Sequence, residues 1–377
     1  MKKIYLDYNA TTPIAPSVVE KMQPFLTEHF GNPSSAHSLG RSAAEAIEDA
    51  RAQVGVLLGC EPEEIVFTGG GTEANNLAIK GIALKGGGRP DGHLVISAIE
   101  HPAVTEPIRF LERLGYDVSI VGCDEQGRVD PEEVEAAFRE DTLMVSLMLA
   151  NNEVGTVQAI HQLAERCRVR GVILHTDASQ AVGKIPVQVD ELGVDLLTLA
   201  GHKMYAPKGV GALYVRAGID LEPLLHGAGH ERGRRSGTEN TPYLVGLGQA
   251  ARLAYTDLDE NRQRMETFRD QLQNRLEQNV PELIVHARSA ERLPNTLCVS
   301  FPGVDGMELL RRVPEVCAST GSACHSGVAI SDTLTAMGAS PDQIRGMVRL
   351  SLGWSTTSEQ VERAADLLAN GWETLAQ

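Results

Sequence analysis

Four short segments contain residue types whose spacing could do chemistry. In the first, an apolar run at 65–67 leads into Gly69-Gly70-Gly71-Thr72-Glu73 and then a helical pattern. That order gathers unpaired backbone N–H groups and the positive end of a helix at one point, and small residues let a phosphate come close. Gly69-x-Gly71-x-x-Ala74 also satisfies a loose dinucleotide fingerprint, with Asp91 about 20 residues further on. The signal speaks for a phosphate without saying whose, and a tight strand-to-helix turn would use the same residues.

The second segment is His175-Thr176-Asp177-Ala178-Ser179-Gln180, after the apolar run 172–174. A carboxylate at the carboxyl end of a buried parallel strand sits where such sheets bind ligands. Its burial is costly unless it meets a cation, such as a protonated pyridine nitrogen. A helix N-cap at Asp177 is the competing reading. In the third, the run 196–199 enters Ala200-Gly201-His202-Lys203. A lysine just past a strand end can form a Schiff base once burial and neighbouring positive charge lower its pKa. On its own such a lysine is usually a solvated charge. A phosphate loop, a strand-end acid and a strand-end lysine are together the three handles that pyridoxal phosphate requires.

The fourth segment is Ser319-Thr320-Gly321-Ser322-Ala323-Cys324-His325-Ser326-Gly327. Its small and polar neighbours put Cys324 in an exposed loop, where a thiolate can be reached. Cys60, Cys123, Cys167 and Cys298 read as inert core thiols, and Cys317 as structural. A zinc site built on Cys324 and His325 lacks further ligands at useful spacing.

The elements that must position these residues follow an α/β rhythm from residue 17 to about 250. Strand candidates lie at 65–67, 94–97, 118–121, 143–149, 172–175 and 196–199, several apolar at consecutive positions, as in strands covered on both faces. Val18, Met22, Phe25 and Leu26 share one face of a first helix that Pro24 should bend. Ala46, Ile47, Ala50, Val54, Leu57 and Leu58 line the inner face of a second, and Gly59 is placed to end it. Asp130-Pro131 opens a helix in N-cap and N1 fashion. Beyond 250 come a charged helix at 261–278, strands at 296–301 and 348–352, a short helix around 307–312, and a terminal helix announced by a capping box at Thr357–Gln360. This part reads as a smaller α+β lobe. The expected domains are 15–255, binding the cofactor, and 1–14 with 256–377, carrying the cysteine loop.

The chain has 377 residues, 42% hydrophobic and 22% charged, with 34 basic against 50 acidic residues and a net charge of −16. That balance argues against nucleic acid or an anionic membrane as partner. No apolar run approaches the roughly 18 residues of a membrane span, and the start has no secretory h-region. Six cysteines without a Cys-x-x-Cys pair point to a reduced, cytoplasmic protein.

Jointly, Tyr5-Leu-Asp-Tyr-Asn-Ala-Thr-Thr-Pro13, Thr68-Gly-Gly-Gly-Thr-Glu73, Glu100-His101, Asn151-Asn-Glu-Val-Gly155, Asp177 with Gln180, His202-Lys203, Arg235-Ser-Gly-Thr238 and Gly321-Ser-Ala-Cys324 resemble the NifS/IscS-like cysteine desulfurases. These belong to the class-V aminotransferase group of fold type I pyridoxal-phosphate enzymes. The resemblance covers nearly the whole chain. It implies an α/β fold with a mostly parallel central sheet flanked by helices, plus a smaller α+β C-terminal lobe. It makes Lys203 the lysine that links the cofactor and moves the Cα proton, and pairs Asp177 with the pyridine nitrogen. Gln180 and Asn152 would bond the ring hydroxyl region, and His101 would stack on the ring and shuttle protons. Gly71, Thr72 and His202 would bind the phosphate, with Thr238 lent by the partner of a homodimer. Arg349 would clamp the carboxylate of L-cysteine, with Asn152 also near the substrate, and Cys324 would take the sulfur as a persulfide. The implied acceptor is an iron–sulfur scaffold or another sulfur carrier. No firm metal site follows, beyond Cys324 as a transient ligand of an iron–sulfur cluster.

Three departures from the family pattern stand out: Ala200 where many members have a phosphate-binding serine, Trp354 where relatives often carry a charge, and a stop at Gln377 where IscS-type members carry a further tail that docks the iron–sulfur scaffold, which weakens the expectation of that partner. Ala200 and the Ala-Cys-His-Ser spelling around Cys324 also suit a selenocysteine lyase. A plain aminotransferase gives Cys324 no role, a nicotinamide dehydrogenase rests only on the glycine match, and a non-catalytic sulfur-trafficking partner would not need every catalytic residue.

Overall fold

The computed structural model describes residues 3–87, 92–321 and 331–377. Its strands in chain order are β1 (Ile4–Tyr5), β2 (Ile65–Thr68), β3 (His93–Ser97), β4 (Asp117–Val121), β5 (Thr142–Ser146) and β6 (Ile173–Asp177). They continue as β7 (Leu196–Ala200), β8 (Gly211–Val215), β9 (Ile284–Val285), β10 (Thr296–Ser300), β11 (Val316–Cys317) and β12 (Met347–Ser351). Seven of them form one sheet in the order β2-β8-β7-β6-β5-β3-β4, parallel except for β8, which runs against both its neighbours. β3, β7 and β8 are buried at every position, as expected of largely apolar strands covered on both faces. β4, on the edge, keeps Ile120 in solvent.

The strands expected near 65–67, 94–97, 118–121, 172–175 and 196–199 are all present. The run 143–149 leaves the ladder after Ser146, although Leu147 and Leu149 still donate to the carbonyls of His175 and Asp177. β8 had no counterpart in the sequence reading. It pairs antiparallel between two members of an otherwise parallel sheet, a placement that local pattern does not encode.

Helices α1 (Pro16–Thr27) and α2 (Ser38–Leu58) pack on one face together with the helix Thr241–Thr256. Gly248 is required there, because a Cβ at that position would lie 2.6 Å from the Cα of Ala50. α2 ends as expected at Gly59, in the left-handed conformation with φ 69°. On α1 the apolar stripe is only half used: Val18 and Met22 are buried, whereas Leu26 is 58% exposed. α3 (Gly71–Ala83) follows β2, and α4 (Pro102–Glu112) follows β3. The expected caps are made: Asp130 accepts from the N–H of Glu132, and Thr357 and Gln360 form a reciprocal box.

A second core joins Ile4 and Leu6 to Leu272, Leu297, Leu350 and Leu368. Around it lie the antiparallel sheet β12-β10-β9 and the parallel pair β1-β11. Of the cysteines read as core, Cys167 and Cys298 are buried, but Cys60 and Cys123 are only half-buried. Burial still pushes their thiols up, to about 12 for Cys60 and about 11 for Cys123, which keeps both protonated and unreactive.

Candidate active site

Three carboxyl ends of the parallel sheet and two helix starts meet at a cavity of about 320 Å³. Gly71 and Thr72 enter it from the start of α3, His101 from the residue before α4, and Asp177 from the last position of β6. His202 and Lys203 come from the turn after β7, and Asn152 and Gln180 from neighbouring loops.

At the α3 end the wall is drawn close to the backbone. A Cβ on Gly71 would stand 3.1 Å from both the Ala200 Cβ and the Ser179 hydroxyl. The glycine therefore leaves space in front of the helix N-terminus, where dipole and free N–H groups favour an anion. Gly70, with φ at 140°, provides the turn into the helix.

Asp177 is 7% exposed and does not cap a helix. Its Oδ1 accepts from the N–H of Ser179 at 2.9 Å in a local turn, and its Oδ2 accepts from Asn75 Nδ2 at 2.7 Å. Among the described residues these are neutral donors, and no cation forms an ion pair with it. Asn75, one helical turn into α3, escaped the sequence reading because an asparagine in a helix has no distinctive spacing. Its Oδ1 is buried without a partner.

Lys203 Nζ donates to the carbonyl oxygens of Asn9 and Ala10, the latter at 2.8 Å. Burial lowers its pKa to about 8, with Arg349 acting in the same direction and Asp177 and Asp7 opposing. The N-terminal segment that supplies these carbonyls is tied to the lysine turn from both sides: Thr12 N and Oγ1 donate to the His202 carbonyl, and Tyr205 N donates to Thr12 Oγ1. His202 Nδ1 lies 3.1 Å from Thr11 Oγ1, and burial and the nearby lysines lower its pKa to about 4. His101 Nδ1 accepts the N–H of Ala103 at 3.0 Å, so the neutral ring carries its proton on Nε2. Burial lowers this imidazole too.

Two of the expected residues stand outside the cavity. Arg349, 5% exposed on β12, donates from Nη2 to Asp7 at 2.8 Å and from Nη1 to the Asn152 carbonyl at 3.0 Å, while its Nε is buried without a partner. It is thus one residue behind the wall that Asn152 forms. Thr238 lies in a separate cleft with Phe25, Phe30 and Pro242. Cys324, His325 and Asp91 lie outside the described residues. The chain before Cys324 is nonetheless anchored beside Arg349, because Ser319 and Arg349 exchange backbone hydrogen bonds. Trp354 stacks on Tyr205 at 3.8 Å between centroids, two residues past Lys203, and its backbone N–H donates to the Tyr205 hydroxyl.

Asn9 and Lys184 were also absent from the list of candidates. Asn9 accepts through its backbone oxygen from Lys203 Nζ and Gln180 Nε2, and through Oδ1 from Lys184 and Asn295. Its Nδ2 reaches Thr296 at 2.8 Å and the Asn152 carbonyl. Three regions of the chain meet its side chain and two more bonds reach its backbone oxygen, a role without any local signature.

Comparison with known proteins agrees with this geometry. A cysteine desulfurase IscS from Dictyoglomus turgidum is 43% identical over 372 residues, covering 97% of this chain and 94% of its own. A solved structure named as a NifS-like protein superimposes with a TM-score of 0.91 at 36% identity, covering 99% of both chains. The structure of SspA in complex with cysteine gives a TM-score of 0.82 at 38% identity, covering 93% of this chain and 99% of that one. The family model of class-V aminotransferases matches residues 4–364. That span takes in every residue lining the cavity and most of both cores, and the chain belongs to the class-V aminotransferase family.

Proposed function

We infer that the chain is a pyridoxal-phosphate-dependent cysteine desulfurase, which takes the sulfur of L-cysteine and leaves L-alanine. The observation that carries this reading is the pairing, across one cavity, of a half-buried lysine lowered to about 8 with a buried carboxylate that lacks a cation. The names of the relatives and the cysteine complex of SspA support the substrate.

The residues fit the cofactor. The space that a Cβ on Gly71 would fill suits a phosphate, held by the N–H groups of Gly71 and Thr72, the α3 dipole and His202. Ala200 offers no donor there, and the Ser179 hydroxyl beside Gly71 takes that part. Asp177 would hold a pyridine nitrogen protonated, with Asn75 fixing the carboxylate. Bound in this cavity, pyridoxal phosphate supplies a carbonyl for Lys203 and an electron-withdrawing ring that stabilises negative charge at the substrate Cα.

The remaining work falls to the protein. With a pKa of about 8, roughly a quarter of Lys203 is neutral at pH 7.5, enough for Nζ to act as nucleophile and then carry the Cα proton. His101 offers a proton from Nε2. Arg349, with its free Nε, receives the substrate carboxylate once Asp7 yields part of its hold. Cys324 Sγ, as thiolate, bonds to the substrate sulfur; the Cβ–S bond breaks and its electron pair stays with the carbon skeleton, which gains protons and leaves as alanine. The persulfide on Cys324 then passes to an iron–sulfur scaffold or another sulfur carrier, Cys324 ligating a cluster transiently where the acceptor builds one.

The same reading divides the chain into a cofactor domain, 15–255, and a small domain, 1–14 with 256–377; the separate second core favours that division. It makes the protein a cytoplasmic homodimer. Phe30, 69% exposed, lines the Thr238 cleft and favours a partner subunit there. Among the described residues no helix is long and apolar enough to cross a membrane, and no group of three or more acidic, histidine or cysteine residues is placed to hold a metal.

The test is to add pyridoxal phosphate to the purified protein, record the visible spectrum, then add L-cysteine and assay alanine and sulfide. Lys203→Ala is expected to lose the visible band, and Cys324→Ala to keep the band and lose alanine formation. A wild-type protein that binds the cofactor and forms no alanine from cysteine refutes the reading; turnover of selenocysteine alone would turn it to a selenocysteine lyase.

A further inference from the structure

Lys184 is a buried ionisable group that the chemistry above leaves without a task. It is 6% exposed, and its Nζ donates to Gln180 Oε1 at 2.7 Å and to Asn9 Oδ1 at 3.2 Å. Among the described residues it pairs with no carboxylate. Two acceptors match the two N–H bonds of a neutral amine, whereas an ammonium would carry a third donor into a dry site with nothing to meet it. Burial, then Lys203 and Arg349, hold its pKa well below the ordinary lysine value.

The consequence falls on the amide of Gln180. Lys184 takes its Oε1, and its Nε2 gives one N–H to the Asn9 carbonyl at 2.9 Å. An amide nitrogen carries two hydrogens, so the second is left for the cavity that Gln180 lines. A flipped amide would set oxygen against the Asn9 carbonyl and break the bond from Lys184. The same Asn9 carbonyl receives Lys203 Nζ, so the orientation of Gln180 and the seat of Lys203 share one acceptor.

Resting on the reading of this cavity as a pyridoxal-phosphate site, we propose that Lys184 is a positioning residue that holds Gln180 as an N–H donor toward the cofactor's ring oxygen. A donor at that oxygen competes for the negative charge that would stabilise a protonated nitrogen at Lys203, and so keeps the titration midpoint of the lysine–cofactor chromophore low. The other charged groups facing this spot are Arg349, Asp177 and Asp7 around Lys203, with His101 and His202 on the cavity wall. Lys208 adds to the field at His202. The Lys184→Met change removes none of these groups, although Lys184 itself adds to the field at His202. It leaves Gln180 Oε1 without its donor, free to turn toward the cavity.

The experiment is a pH titration of the visible band of the cofactor-loaded protein for wild type, Lys184→Met, Gln180→Ala and the double variant, with kcat and KM for cysteine alongside. Lys184→Met is expected to raise the midpoint by about one unit and lower kcat several-fold with KM nearly unchanged. In the Gln180→Ala background the same substitution is expected to move the midpoint by less than a third of that amount, because its route is already cut. An unmoved midpoint in Lys184→Met, or an equal shift in both backgrounds, overturns the proposal; the second result would make Lys184 a charge acting directly. Should Lys184→Met not fold, Lys184→Gln keeps an N–H donor on a shorter side chain beside Gln180 and must move the midpoint in the same direction by less. A wild-type chain with no visible band overturns the cofactor reading and this inference with it, whereas a normal wild-type titration with an unmoved variant overturns the inference alone.

Discussion

Replacing Glu100 by glutamine isolates the charge of a carboxyl that the fold keeps neutral. Glu100 precedes His101 and is 8% exposed; its Oε1 accepts from Ser97 Oγ at 2.5 Å and from the N–H of Met148 at 2.9 Å, and its Oε2 is buried without a partner. Burial raises its pKa from 4.5 to about 8, with Asp177 adding to the rise. Below pH 4.5 the carboxyl is protonated whether the chain is folded or not, and its ionisation costs the fold nothing. Between 4.5 and 8 the unfolded chain loses the proton that the folded one keeps, so the folded state falls behind as pH rises; above 8 the penalty is constant. At pH 7.5 the gap is three units at about 1.4 kcal/mol each, about 4 kcal/mol, which water penetration and relaxation reduce to roughly 2–4 kcal/mol. Glutamine keeps an oxygen for Ser97 and Met148 and has no charge to lose. Glu100→Gln is therefore expected to match the parent near pH 4.5 and to exceed it by roughly 2 kcal/mol or more at pH 8. Urea unfolding followed by far-ultraviolet circular dichroism at four pH values reads this out. A difference that stays constant with pH, or a variant less stable at pH 8, refutes the argument. The functional corollary is that a neutral Glu100 leaves Asp177 as the buried negative charge at this end of the sheet.

Two further substitutions test how the cavity is held. Arg51 and Glu231 form a bidentate pair, both side chains under 5% exposed, and Glu231 also accepts the N–H of Phe67 just before the glycine loop. Arg51→Met strands that carboxylate and is expected to cost about 3–5 kcal/mol by urea unfolding, while adding Glu231→Gln recovers a large part of it. Equal losses in the single and double variants would refute this. Trp354→Ala removes the ring stacked on Tyr205 and is expected to cost about 2 kcal/mol in the same assay. A loss under about 0.5 kcal/mol would make the stack incidental to stability.

Much of the molecule was legible from neighbours in sequence, because the forces that shape it locally leave local marks. A largely apolar stretch at 196–199, broken only by Thr198, marks a strand covered on both faces, Gly59 marks a helix end that needs a left-handed residue, and Thr357 with Gln360 mark a helix start. Gly71, Asp177 and Lys203 stood out because each lies at or just past the end of a strand, and the carboxyl ends of parallel strands share one edge of the sheet. What sequence left open depends on contacts between distant residues. The lysine seat joins Asn9 and Ala10 to Lys203 across more than 190 positions, through backbone carbonyls that every residue possesses. Asp7 meets Arg349, and Asn75 meets Asp177, without any periodicity to announce them. β8 runs antiparallel between parallel strands because it must return from β7 to pair with β2. Lys184 has no mark in the sequence that sets it apart; only burial turns it into a two-donor amine that fixes its neighbour. Local spacing determined which residues could act, and the tertiary structure decided their partners, because the pairings that desolvate a charge and fill its hydrogen bonds exist only once distant segments are packed together.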